Sequence, residues 1–368
     1  MKVCVLTSSR ADYGIYRPLL QKLKEDDFFQ LSMIAFGTHL SPIHGYTLSE
    51  IEKDGFEIEE CVESLILGDS AEAVSTALGV TITKFSSIWR KKQKNTDLIF
   101  CLGDRYEMLA AVLASVPFNI PIAHIHGGET TLGAIDNKFR HSLTQLAQYH
   151  FVSTQGHADK VIEMLGTNEK VYNVGALSLD NLLTLKRLSK QEFFQKYQID
   201  IEKPTILFTF HPETVSFKRN EAYIQEIIEA LKILKEKYQI IITMPNADTM
   251  GYMIREHLQN FAKGNNNIFV VESFGTLGYF SAIQHCSFLL GNTSSGIIEA
   301  ASFGKYVINI GDRQKGRDAG KNVWHCAIQK EEILRKVDEI QNMELLTKQN
   351  IYGDGKASEK IIKILKNE

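Results

Sequence analysis

Short runs of consecutive apolar residues alternate with longer amphipathic stretches along most of the chain. Lys2–Leu6, Gln30–Phe36, Phe56–Cys61, Leu98–Leu102, Ile122–Ile125, His150–Ser153 and Lys170–Val174 have the length and content of buried parallel strands. Between them, Tyr16–Lys24, a segment within Asp69–Lys92, and Asp136–Ala147 read as helices. The character changes from Ala176 to Lys203, where Leu179–Leu188 and Lys190–Gln198 read as two helices ahead of Pro204. The alternation then restarts with strand Thr205–Phe210, helix Asn220–Lys237, and strands Ile240–Thr243, Ile268–Val271, Phe288–Gly291 and Tyr306–Ile310. A last helix, Ala357–Lys366, carries Ile361, Ile362, Ile364 and Leu365. The pattern predicts an α/β protein of two domains, 1–180 and 190–355, joined by a tight hinge. The terminal helix, 356–368, is expected to pack back toward the first domain.

Composition narrows the class. With 368 residues, 44% hydrophobic and 23% charged, the chain suits two ordinary globular domains. A net charge of -3 provides no overall basic footprint for nucleic acid. No apolar run approaches the roughly 20 residues that span a membrane, and the N-terminus reads as a first strand and not as a signal peptide. Cys4, Cys61, Cys101, Cys286 and Cys326 are odd in number and lack a CxxC spacing. They read as reduced core thiols of a cytoplasmic protein.

The candidate chemistry lies in the polar turns that follow the strands, where open α/β sheets take their ligands. Leu98–Leu102 runs into Gly103, Asp104, Arg105 and Glu107. Ile122–Ile125 runs into His126, Gly127, Gly128 and Glu129, with Asp136 seven residues on. Any one of these acids has the alternative role of helix cap, Asp136 above all. Thr7–Gly14 offers hydroxyls, backbone N–H groups and Arg10 to an anion. In the second half, His211 ends a strand, and Asn292–Gly296 precedes a helix expected over Ile297–Phe303 with Glu299 in its first turn. Gly311–Arg317 is a basic loop suited to a phosphate.

Six motifs in order resemble the UDP-N-acetylglucosamine 2-epimerases, on the hydrolysing branch that starts sialic acid synthesis. They are Arg10-Ala11-Asp12-Tyr13-Gly14, Gly103-Asp104-Arg105, His126-Gly127-Gly128-Glu129, His211-Pro212-Glu213, Gly291-Asn292-Thr293-Ser294-Ser295-Gly296 and Gly311-Asp312-Arg313-Gln314. The resemblance implies a GT-B arrangement, two Rossmann-like domains facing a cleft. It implies Asp104, Glu129 and Asp136 as catalytic acids, with His211 near the diphosphate and also catalytic. Arg10, Arg105, Asn246, Phe274, Thr293, Ser294, Glu299 and Arg313 are the implied nucleotide contacts, with the backbone of Phe274 reading the uracil edge. Gly14 stands where some members have serine, which removes a side-chain contact.

The family reaction explains the need for several carboxylates. A base takes the C2 proton of the sugar as UDP leaves C1; water then adds to the glycal, with reprotonation of C2 from the opposite face. The expected reaction converts UDP-GlcNAc to N-acetylmannosamine and UDP with no cofactor or metal. The same reaction on UDP-2,4-diacetamido-2,4,6-trideoxyglucose is the nearest alternative. Its discriminating residues are guessed at His39, His44 and Thr130–Gly133. A non-hydrolysing epimerase, a GT-B glycosyltransferase and a nucleotide-sugar sensor are further alternatives. Family members commonly form homodimers or homotetramers, and one of these assemblies is expected here.

Overall fold

The computed structural model describes residues 1–68, 70–213, 219–245, 251–341, 343–344 and 346–368. The chain forms two compact units. The first comprises 1–129, 136–184 and 352–368, and the second 130–135 and 185–351.

The first unit is built on seven parallel strands: β1 (Lys2–Thr7), β2 (Gln30–Phe36), β3 (Glu60–Val62), β4 (Leu98–Leu102), β5 (Ile122–Ile125), β6 (Tyr149–Val152) and β7 (Val171–Asn173). Their spatial order is β3-β2-β1-β4-β5-β6-β7. β4 and β5 are buried along their whole length, which is why β4 reads as an unbroken apolar run and β5 as one interrupted only by His124. Helix Arg10–Glu25 packs Tyr16, Leu19, Leu20 and Leu23 into a core shared with Phe100 and Phe151 and with Ile361 and Leu365 of helix Ala357–Asn367. Asp180 caps that terminal helix across 177 residues of sequence, accepting from the N–H groups of Ala357 at 2.9 Å and Ser358 at 2.7 Å.

The second unit holds six parallel strands: β8 (Thr205–Thr209), β9 (Gln239–Thr243), β10 (Ile268–Val271), β11 (Phe288–Gly291), β12 (Val307–Ile310) and β13 (Val323–Cys326). Their order, β10-β9-β8-β11-β12-β13, repeats the doubly wound plan. Ile224, Ile227 and Leu231 of helix Asn220–Leu234 pack on Ile206, Phe208, Ile240 and Ile242.

Several elements differ from expectation. The third strand is Glu60–Val62 and not Phe56–Cys61, since Phe56 turns into the core from an irregular segment that follows left-handed Gly55. The helix expected over Leu179–Leu188 is a 3-10 turn, Leu177–Asp180, followed by a single α-turn, Asn181–Thr184. β13 and helix Lys330–Gln341 were not anticipated; β13 is a half-buried edge strand with no apolar run.

Candidate active site

In the first unit the strand order reverses between β1 and β4, so the loops after these strands flank the switch point where such sheets bind ligands. The loop after β1 is organised by Asp12. Its buried carboxylate accepts from the N–H groups of Ser8 and Ser9, both at 2.7 Å, and from their hydroxyls at 2.9 and 3.0 Å. Ser9 in turn caps helix Arg10–Glu25, which sets half-buried Arg10 in the first helical position. The Ser9-x-x-Asp12 spacing is a capping box legible in sequence, although only Arg10 stands out there as a candidate.

The turn after β4 carries Asp104 and Arg105. Arg105 makes two bonds to the buried carboxylate of Glu107, at 3.2 and 2.8 Å. It is thus anchored inside the first unit. Asp104 pairs with Arg140, which is 1% exposed on helix Asp136–Leu146. Arg140 also donates to the backbone carbonyl of Glu129 at 3.1 Å. One buried guanidinium therefore joins the turns after β4 and β5. Asp136 and Arg140 are one helical turn apart, so they share a face. That spacing was the available signal for Arg140, to which sequence reasoning gave no role.

The turn after β5 places His126 in the left-handed region, at φ 66°, and Gly128 at φ 75°. A Cβ on Gly128 would lie 2.3 Å from the carbonyl oxygen of His157, so only glycine lets the turn reach the start of helix Gln155–Leu165. Glu129 is 1% exposed. Its Oε1 lies 2.7 Å from Nδ1 of His126 and accepts from Ser153 Oγ at 2.9 Å. His124 is fully buried and donates from Nε2 to the Gly103 carbonyl at 2.8 Å. Burial pushes its imidazole down to about 3, so it is a neutral staple between the two turns. His39 is likewise a satisfied core residue, with its ring nitrogens bonded to Thr7 Oγ1 at 2.9 Å and Thr47 Oγ1 at 2.8 Å. His44 bonds Ser41 Oγ at 2.8 Å.

In the second unit the equivalent reversal lies between β8 and β11. The loops there carry His211 and Asn292–Ser294. Asn292 clasps His211 at both backbone groups: Oδ1 accepts from the His211 N–H at 2.7 Å, and Nδ2 donates to its carbonyl at 2.8 Å. Gln314 donates to the Asn292 carbonyl at 2.8 Å, and Glu213 accepts from the Asp312 N–H at 2.6 Å. These bonds fix His211 and the turn bearing Arg313 in one frame. Burial raises the Glu213 carboxyl above its usual range. Leu132 of the 130–135 segment donates to the Lys315 carbonyl at 2.9 Å, and a Cβ on Gly133 would strike Asp312.

Thr293 is the N-cap of a helix that runs only Ser294–Ile298. Glu299, expected in its first turn, lies at its C-cap, because the cap starts the helix three residues earlier than expected. With five residues the helix has little dipole, so an anion there would depend on the half-buried Thr293–Ser294 segment itself. Phe274 accepts at its carbonyl from Tyr197 Oη at 3.0 Å and packs against Phe193. Asn246 lies outside the described residues. Among the described residues, no group of three or more His, Cys, Asp or Glu could hold a metal ion, and no helix is long and apolar enough to cross a membrane.

The family model described as UDP-N-acetylglucosamine 2-epimerase matches residues 21–366. The chain belongs to this family. A protein of Legionella pneumophila named UDP-N,N'-diacetylbacillosamine 2-epimerase (hydrolyzing) is 33% identical over 99% of this chain and 95% of its own length. An Escherichia coli protein named polysialic acid biosynthesis protein P7 is 34% identical over 94% of this chain and 88% of its own. Among solved structures, the UDP-GlcNAc 2-epimerase from Neisseria meningitidis bound to UDP-GlcNAc superposes with a TM-score of 0.84 at 18% identity, covering all of both chains. The fold is therefore the α/β, GT-B class with two Rossmann-like domains expected from the motifs. The family expected from the order of those motifs is the family found.

Proposed function

We infer that this chain is a hydrolysing 2-epimerase of a UDP-linked 2-acetamido sugar. The observation that carries the reading is the buried constellation of the first unit. There Arg140 ties Asp104 to the Glu129 backbone, and His126 and Ser153 engage the Glu129 carboxylate. The C2 proton of the sugar is weakly acidic, so a carboxylate must be held firmly against it. Glu129 and Asp136 are the proton-transfer groups, and Asp104 assists or orients the sugar. Arg10, His211, Arg313, Thr293 and Ser294 stabilise charge on the departing diphosphate, with Arg105, Asn246, Phe274 and Glu299 completing the nucleotide contacts. Loss of one such donor typically lowers the rate by about 10²–10³.

The sugar we favour is UDP-2,4-diacetamido-2,4,6-trideoxyglucose, which is UDP-N,N'-diacetylbacillosamine. Support comes from the name of the Legionella relative, whose likeness extends over nearly the whole chain. UDP-GlcNAc is the second reading, favoured by the likeness to the polysialic acid protein. A homodimer or homotetramer in the cytoplasm fits either.

Both nucleotide sugars should be assayed side by side, without an acceptor, for UDP release. Greater kcat/KM on UDP-GlcNAc would reverse the choice of sugar; no UDP from either would overturn the enzyme class. Glu129→Gln and Asp136→Asn should slow exchange of the C2 proton with solvent deuterium. Wild-type exchange in both would remove these acids from the mechanism.

A further inference from the structure

The turn that carries Glu129 is backed by a buried chain of polar side chains that the reaction scheme leaves unused. Ser153 follows β6, is 2% exposed, and donates to Glu129 Oε1 at 2.9 Å. Its hydroxyl also lies 3.3 Å from Nδ1 of His157, which is fully buried. His157 is placed by its helix: its N–H donates to the Thr154 cap at 3.2 Å, and its carbonyl faces Gly128. On the other side, Nε2 of His126 accepts from the Leu177 N–H at 3.4 Å. An ionised carboxylate oxygen only accepts, so Nδ1 of His126 carries a proton and donates to Glu129 Oε1.

Both donors converge on the same oxygen. The Ser153 hydroxyl has one proton, given to Glu129, so it receives one from Nδ1–H of His157. The direction of the chain is therefore set: His157 to Ser153 to Glu129, with His126 arriving from the opposite side. Two donors to a carboxylate oxygen favour its ionised form, and a saturated oxygen cannot swing. His126 holds this place in a left-handed conformation that non-glycine residues seldom adopt.

We propose that Ser153 and His157, together with His126, are positioning residues for Glu129, holding its carboxylate ionised and fixed through Oε1. This rests on Glu129 being a proton-transfer group. The charged and titratable groups facing it are His126 from its own turn, Arg140 and His141 from helix Asp136–Leu146, His157 from helix Gln155–Leu165, and Asp104 through Arg140.

Ser153→Ala removes one donor from the anion, which raises the pKa of Glu129. The limb of the kcat/KM profile that reports this group should move about one to two pH units upward, with KM little changed. His157→Gln should move it in the same direction by less. The double variant should go no further than Ser153→Ala, because the two residues act in series. Thermal melting establishes that each variant is folded. A folded Ser153→Ala enzyme whose profile superimposes on the wild type, while Glu129→Gln is inactive, overturns the relay alone. Full activity of Glu129→Gln instead overturns the role of Glu129 beneath it.

Discussion

Gly291 ends β11, one residue ahead of the Asn292–Ser294 loop, at φ 135°. A Cβ placed there would lie 1.8 Å from the carbonyl oxygen of Thr209 on the paired strand β8. Real Cβ contacts below 3.0 Å are essentially never seen, so the two strands would have to separate by at least 1.2 Å, the difference of those distances. The Thr209 oxygen that must move is the one accepting from the Asn292 N–H at 3.0 Å. Asn292 is also the residue that holds His211.

Gly291→Ala therefore combines three losses. Forcing a Cβ into a positive-φ conformation costs about 1–2 kcal/mol, overpacking a close strand pair about 1–3, and stranding a buried N–H about 1–3. The expected sum is about 3–8 kcal/mol, a large share of the roughly 5–15 kcal/mol that holds a domain folded. Gly264→Ala is the control. It is also left-handed, at φ 76°, but has nothing within 4 Å of its Cβ, so it should lose only about 1 kcal/mol. Urea unfolding measures both, and titration with UDP should show Gly291→Ala weakened while Gly264→Ala binds as wild type. Gly291→Ala within 1 kcal/mol of Gly264→Ala, with undiminished UDP affinity, would refute the argument that this glycine is required by strand contact.

Three other outcomes follow from the buried polar groups. Burial pushes His124 down to about 3 and His150 down to about 4, against an ordinary 6.5. A depressed folded pKa means stability is complete above 6.5 and is lost progressively as pH falls from 6.5 to the folded value; at pH 5 each histidine should remove about 2 kcal/mol. His124→Gln should therefore lose less stability than wild type between pH 7 and 5 in parallel urea titrations, and an equal loss would count against the neutral staple. Asp180→Ala removes both bonds to the start of helix Ala357–Asn367 and should lower stability by about 2 kcal/mol, with faster amide exchange confined to that helix. Arg140→Met leaves Asp104 without its guanidinium and should cost about 3–5 kcal/mol; Asp104→Asn added to it should recover part of that, read as a coupling energy in a double-mutant cycle.

The reach of sequence reasoning followed the range of the contacts that decide each element. β4, β5 and β8 are buried on both faces, so their apolar runs announce them directly. β13 and β3 are short edge strands whose existence depends on a neighbour, and nothing in Val323–Cys326 alone calls for pairing. The helix expected through Leu188 stops at Thr184, after a segment in which Asp180 serves a helix start 177 residues away. The motifs mark the turns after the strands as the candidate site, because glycines, acids and arginines there have few other reasons to cluster. Residue types in a loop do not reveal which side chain is held and which does the holding. Asp12, Asn292 and Gln314 stand inside or beside recognised motifs, and each turns inward to fix its neighbours. Ser153 and His157 lie 24 and 28 positions beyond Glu129 and belong to no motif, yet Ser153 meets its carboxylate, with His157 behind it, because β5 and β6 are adjacent in the sheet. A search for support residues in such folds should therefore start from the strand neighbouring the one that bears the acid, because parallel pairing sets their loops side by side whatever their distance in sequence.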